Sequence, residues 1–236
     1  MQQFKSKFRD ELYSGVTLSN IQSCIRLNDL DSLGDGTHLG YFNMMGLFSF
    51  RHWTVPQTVT FWMEFLKRIH IEPTHVTIHP DRPDWSSYHM LPVKLDPNCT
   101  WTDGQIGGYC TEFYVGDVEI GNIVNPLGTC IDVGFGLERL DSLVNHTPVK
   151  SIEDYLCDVI RILVDSDIQP SNTKQGYVLR RLLRTLHKRG GQFNHPIFNR
   201  EIERQHRLLE QYEKLKPKYP GKSKKWWYET HGIEVP

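Results

Sequence analysis

No stretch of the 236 residues approaches the roughly 20 consecutive apolar side chains needed to cross a bilayer, which excludes a membrane-spanning helix. The opening MQQFKSKFRDEL mixes charged with apolar residues and has no apolar signal-peptide core, so a cytoplasmic protein is expected. Cysteine is scarce: Cys24, Cys99, Cys110, Cys130 and Cys157 form an odd, scattered set of five without a CxxC pair. Neither a disulfide framework nor a zinc knuckle is indicated, and buried free thiols are the plain reading. Internal repeats and low-complexity tracts are absent too. The net charge of -1 offers no overall excess of either sign, but it conceals an imbalance. Residues 1–173 hold 12 Lys and Arg against 22 Asp and Glu, while residues 174–236 hold 15 against 6. A segregated basic segment is the expected footprint of a polyanion, because cations that neutralise phosphates gain from counterion release. A plain solvated face is the competing reading.

What is present reads as a soluble globular chain, with 39% hydrophobic and 11% aromatic residues. From 51 to 69, Pro56 supplies a start signal, and Val59, Trp62, Met63, Leu66 and Ile69 recur at helical spacing, predicting an amphipathic helix. Short runs at 74–80, 111–115, 118–124 and 130–134, bounded by Gly, Pro, Asn and Asp, predict strands of a mainly antiparallel sheet. Beyond Ser151 the pattern turns helical, at about 152–164, 175–189 and 199–216. The expected division is a domain over 1–149 followed by a small basic helical domain over 150–236.

Two segments carry candidate chemistry. CIRLNDLDSLG at 24–34 and HLGYFNMMGLFSF at 38–50 combine an arginine, clustered carboxylates and a stretch rich in Met and Phe. Aromatic faces can sandwich a purine while guanidinium and imidazole groups meet phosphate oxygens, although such a strand is more often core packing. In GFGLERL at 134–140 the glycines permit close backbone approach, and Arg139 projects from a helix start.

These motifs, in this order, resemble the alanyl-tRNA synthetase family across nearly the whole chain. MQQFK resembles its motif 1 segment, CIRLNDLDSLG its NDLDN block, HLGYFNMMGLFSF its motif 2 and IDVGFGLERL at 131–140 its motif 3. CTEFY at 110–114, EIGNIV at 119–124, PSNTKQGYVLRRLLRTLHKRG at 170–190 and WYETHGIEVP at 227–236 resemble further family segments. The resemblance implies an α/β (α+β) fold: a class II synthetase-like antiparallel sheet flanked by helices, followed by a small helical domain. It implies a ligase that joins ATP, with Mg2+, and a small amino acid into an aminoacyl-adenylate. By the same resemblance, Arg26, Arg139 and Asp132 carry catalysis, and ATP meets Arg26, His38, Met45, Phe48, Phe50, Gly134, Gly136 and Arg139. Asp132 would pair with the substrate ammonium, with Asn122, Val124 and Trp101 completing the amino-acid pocket. Asn172, Arg180, Arg181, Arg184 and Glu229 would serve a tRNA acceptor. The competing reading is a helix whose arginines pair with nearby Glu.

The chain departs from the family pattern where Thr37 stands for the motif 2 arginine, Asn43 for a glutamate and Leu47 for an asparagine. Two other readings compete: a paralogue transferring its aminoacyl group to a small-molecule acceptor, which the shrunken recognition region favours, and a non-catalytic module binding RNA or protein, which Thr37 and Asn43 support.

Overall fold

The protein is described by a computed structural model covering residues 4–25, 41–145, 151–233 and 235. Among these, one compact unit ends at 145 and a second begins at 151.

The first unit is an eight-stranded, largely antiparallel sheet flanked by helices. In chain order its strands are β1 (Val16–Ile25), β2 (Tyr41–Phe50), β3 (His75–Ile78), β4 (Val93–Leu95), β5 (Thr100–Thr102), β6 (Gly107–Val115), β7 (Val118–Val124) and β8 (Cys130–Gly136). They lie side by side as β1-β2-β8-β7-β6-β3-β4, with β5 added to β6, and only β3 and β4 run parallel. The last of the described strands in sequence therefore sits inside the sheet, between β2 and β7. β1 went unread in the sequence because its side chains alternate between half-buried and exposed, with polar residues on both faces.

Helix α1 (Lys5–Arg9) covers one end of the sheet, where Phe8 packs with Phe48, Phe50, Ile106 and Cys130. Helix α2 (Val55–Arg68) starts later than the periodicity suggests, because Thr54 caps it: the Thr54 hydroxyl faces the Gln57 N–H while the Gln57 side chain accepts from the Thr54 N–H. Val55, Val59, Trp62 and Leu66 fall on one stripe and are buried. Trp62 stacks on Phe135 with ring centroids 4.4 Å apart and planes 11° from parallel. Burying each such side chain contributes about 1.5–3 kcal/mol. Helix α3 (Leu137–Asn145) follows β8 directly, so Arg139 does stand in a first helical turn.

The second unit contains α4 (Ile152–Asp165), α5 (Lys174–Lys188), α6 (Pro196–Leu215) and α7 (Lys224–His231). Ser151 caps α4, accepting from the Asp154 N–H. Buried Leu179, Leu182, Leu183 and Leu186 give α5 its apolar stripe. Helix α7 ends at Gly232, whose φ of 66° is the left-handed stop that glycine adopts without strain. Its Trp227 packs with Tyr212 and Ile233. Among the described residues no helix is long and apolar enough to cross a membrane.

Gly121 in β7 lies against Phe135: a Cβ there would stand 2.3 Å from the ring and 2.7 Å from the Gly134 carbonyl oxygen. Gly121→Ala should therefore lower stability by about 1–3 kcal/mol through overpacking, read as a lower denaturant midpoint.

Candidate functional site

Paired residues on antiparallel strands project to the same side, and neighbours along a strand alternate. Asp132 is opposite Phe48 on β2 and Val124 on β7, Gly134 is opposite Gly46 and Asn122, and Gly136 is opposite Met44. These residues share one face. The other face, carrying Leu47, Val133, Phe135, Ile123 and Phe113, packs with α2 in the main core. Asp132, Asn122 and Val124 are thus brought together by register alone. Trp101 joins them by packing against Val124, Cys99 and Cys110. It also lines a cavity of about 430 Å3 with Arg82, Tyr109, Asn125 and Leu127.

Asp132 is 8% exposed, and no hydrogen bond holds its carboxylate among the described residues. Burial pushes its carboxyl up to about 7. Asn122 donates weakly to Glu119 Oε1, at 3.5 Å. Arg139 Nη1 donates to the Glu119 carbonyl at 2.6 Å, and its side chain stands 3.6 Å from where a Gly136 Cβ would be. Gly134 lies under Met44, whose sulfur would come within 2.9 Å of a Cβ there. Beside Arg139, Glu138 accepts from the Asn43 N–H at 2.9 Å and from its side-chain amide at 2.8 Å, tying α3 to β2. The sequence reading noted Asn43 as a lost glutamate but did not assign Glu138 as its partner.

The other residues read as nucleotide contacts scatter. Met45 pairs with Phe135 and packs into the α2 core, on the face opposite Asp132. Phe48 and Phe50 share the Asp132 face but are 1% and 0% exposed, occupied by Phe4, Phe8 and Tyr13. Arg26, Thr37 and His38 lie outside the described residues.

In the second unit the α5 arginines divide. Arg180 and Arg184 are buried, and both pair with Glu201 of α6, at 3.2 and 2.8 Å; Glu201 itself is 3% exposed. Arg204 adds a third cation at 3.6 Å. Arg180 also donates to the Asn172 side-chain carbonyl and to the Pro170 carbonyl. It therefore holds the exposed Asn172 in place from within. For these two arginines the pairing with a nearby Glu is what forms. Arg181 is half-buried, while Lys188 and Arg189 are exposed. The Glu229 side chain lies outside what the structure describes.

A family model described as tRNA synthetases class II (A) matches residues 1–93. Similar curated proteins are alanine–tRNA ligases. That of Legionella pneumophila (strain Corby) is 27% identical over an alignment of 285 residues, covering 86% of this chain and 33% of the relative. That of Tropheryma whipplei (strain Twist) is 28% identical, covering 70% and 27%. That of Endomicrobium trichonymphae is 25% identical, covering 89% and 33%. The chain spans about a third of the length of these relatives. The resemblance read from the motifs therefore holds: a class II synthetase domain model matches the first 93 residues, and alanine–tRNA ligase relatives, at low identity, match most of the chain.

A carboxyl that keeps its proton to higher pH when folded than the ordinary 3.8 destabilises the fold as pH rises. The effect is complete above about pH 7 and fades as pH falls. Asp132→Asn should then be more stable than the parent chain at about pH 8, the gap narrowing toward about pH 5 in paired urea titrations. The difference between the two chains is the readout because His89, pushed down to about 4 by burial, loses stability in the opposite direction as pH falls from 6.5. In the second unit, Glu201→Gln leaves two buried guanidiniums without their anion and should cost about 3–5 kcal/mol, seen as early melting of the helical signal.

Proposed function

We propose that this chain is an ATP-dependent ligase that activates alanine or another small amino acid as its adenylate and passes it to a tRNA acceptor in the cytoplasm. The observation that carries this reading is Asp132, a buried carboxylate with no hydrogen bond among the described residues, set beside Asn122 and Val124 on one sheet face. An isolated buried anion is costly, and a substrate ammonium within about 4–6 Å would both restore its charge and gain from the low dielectric. Val124 would meet a small side chain, and Asn122 would help orient the substrate by its amide.

The same face suits a nucleotide beside this pocket. Gly136 leaves the strand bare next to the Arg139 side chain, so a flat or anionic group can approach the backbone. Mg2+ would arrive with the ATP phosphates and neutralise charge there. In this reaction the amino acid's own carboxylate attacks the α-phosphorus, and no side chain acts as nucleophile. The work of the chain is positioning and electrostatics: Asp132 fixes the amine end, and Arg139 supports the phosphate side. For the acceptor, Asn172 offers a side-chain amide anchored by Arg180, while Arg181, Lys188 and Arg189 supply the accessible positive charge that a phosphate backbone attracts.

A second reading has its own support. With Arg180 and Arg184 turned inward to Glu201, fewer cations are left for a polyanion than the sequence suggests, which favours transfer to a small-molecule acceptor.

Amino-acid-dependent exchange of pyrophosphate into ATP, measured across the twenty amino acids with and without tRNA, tests the proposal. Exchange with alanine or a close relative is expected, and Asp132→Ala should reduce kcat/KM at least about 30-fold, the loss of about 2 kcal/mol for truncating a buried charge pair. No exchange with any amino acid would sink the adenylation reading. If adenylation occurs, binding of tRNA that weakens with salt and weakens further in Arg181→Ala supports the tRNA acceptor. Salt-insensitive or absent binding points to the small molecule.

A further inference from the structure

We propose that Cys99, Cys110 and Glu112 form a site for a thiophilic divalent cation, with Zn2+ the ion best matched to the donor set. The sequence reading expects only buried free thiols and no protein zinc site, since no CxxC spacing is present. The sheet supplies what the spacing lacks. β5 pairs antiparallel with β6, Thr100 opposite Tyr109, so Cys99 at the foot of β5 meets Cys110, whose N–H donates to the Cys99 carbonyl at 3.0 Å. Glu112, two residues along β6, projects from the same side as Cys110.

The three donor atoms lie within 4.8 Å of one another. The sulfurs are 3.3 Å apart, and Cys110 Sγ is 3.7 Å from Glu112 Oε1. A tetrahedral ion with about 2.3 Å bonds to sulfur and about 2.0 Å to oxygen sets its ligands about 3.8 Å (S to S) and about 3.5 Å (S to O) apart. Closing the triangle around such an ion requires a shift of about half an ångström between the sulfurs and of up to about 1.3 Å on its widest side, between Cys99 and the carboxylate.

The carboxylate is held for this task. Glu112 Oε2 accepts from the Thr77 hydroxyl at 3.0 Å and from the Tyr114 hydroxyl at 2.8 Å, which leaves Oε1 directed at the cysteines. Metal-binding carboxylates are oriented by outer hydrogen bonds of this kind. A disulfide between the same cysteines would satisfy the sulfurs but give the directed carboxylate oxygen nothing to bind, so Glu112 favours the cation. Binding releases two thiol protons to solvent and leaves both cysteines as thiolates. Three protein ligands leave one tetrahedral position for water, or for a donor atom of a molecule resting on Val124 and Trp101, which pack against both cysteines.

Metal uptake needs neither ATP nor amino acid, so its outcome is independent of the ligase reading. The full chain, reduced and stripped of metal, would be titrated with Co2+ and then Zn2+. The expected result is one Co2+ per chain with intense thiolate-to-cobalt absorption in the near ultraviolet, displaced by Zn2+, with two protons released per ion. Cys110→Ser should lose the absorption, and Tyr114→Phe should keep it while weakening Zn2+ affinity about 10- to 100-fold. Should Cys110→Ser fail to fold, the parent absorption and the Tyr114→Phe affinity decide the matter. A folded, reduced parent chain that takes up no Co2+, or uptake unchanged in folded Cys110→Ser, overturns the proposal.

Discussion

The placement of β8 between β2 and β7 is the constraint on which the first unit depends. Side chains on a strand alternate with a period of two, so a slip of one residue would turn Val133 and Phe135 out of the core and drive Asp132 into it. Three contacts hold the register: Trp62 stacked on Phe135, Gly121 lying flat beneath that ring, and Leu47 opposite Val133. Four residues of the candidate pocket inherit their positions from this pairing, while Trp101 comes from β5 on the far side of β6. Asn122 and Val124 come from β7, Asp132 from β8, and Arg139 from the helix that β8 runs into without a connecting loop.

Buried charge appears in two forms, and the contrast separates chemistry from architecture. In the second unit, Glu201 meets Arg180 and Arg184 at hydrogen-bond distance, so anion and cations offset one another's loss of hydration. That network is complete without a ligand, and its product is a fixed Asn172. Asp132 has no such complement among the described residues, and burial drives its carboxyl toward the neutral form. A group that destabilises the folded chain until a cation arrives fits a binding role better than a structural one. Glu112 stands between these cases: one oxygen is satisfied by Thr77 and Tyr114, and the other faces the Cys110 thiol.

Helix and strand periods were legible wherever one face is strongly apolar. The 118–124 strand coincides with β7, and α4, α5 and α6 fall within a few residues of their expected spans, because a buried stripe fixes both the element and its phase. β1 was missed for the converse reason, since no face of VTLSNIQSCI is uniformly apolar. The start of α2 was misplaced because a capping box, a local hydrogen-bond pattern, overrides apolar periodicity at a helix end. Arg51, inside the expected helix, instead has a φ of 54° and reaches back to the carbonyls of Phe8 and Asp10.

By itself the sequence determined the ordered set of motifs, and with them the likeness to alanine–tRNA ligases, because those motifs are linear strings that need no partner to be read. It also carried the amphipathic stripes, which are properties of neighbouring residues. Only the tertiary structure decided which face each side chain occupies. It separated Met45 from Asp132 although both sit in motif strands, and it enclosed Phe48 and Phe50 with α1. It turned Arg180 and Arg184 inward to an acidic residue on another helix. It brought Cys99 and Cys110 together across a hairpin. The reason is common to all of these: strand register and helix packing are set by contacts between segments far apart in the chain, and no local spacing records them.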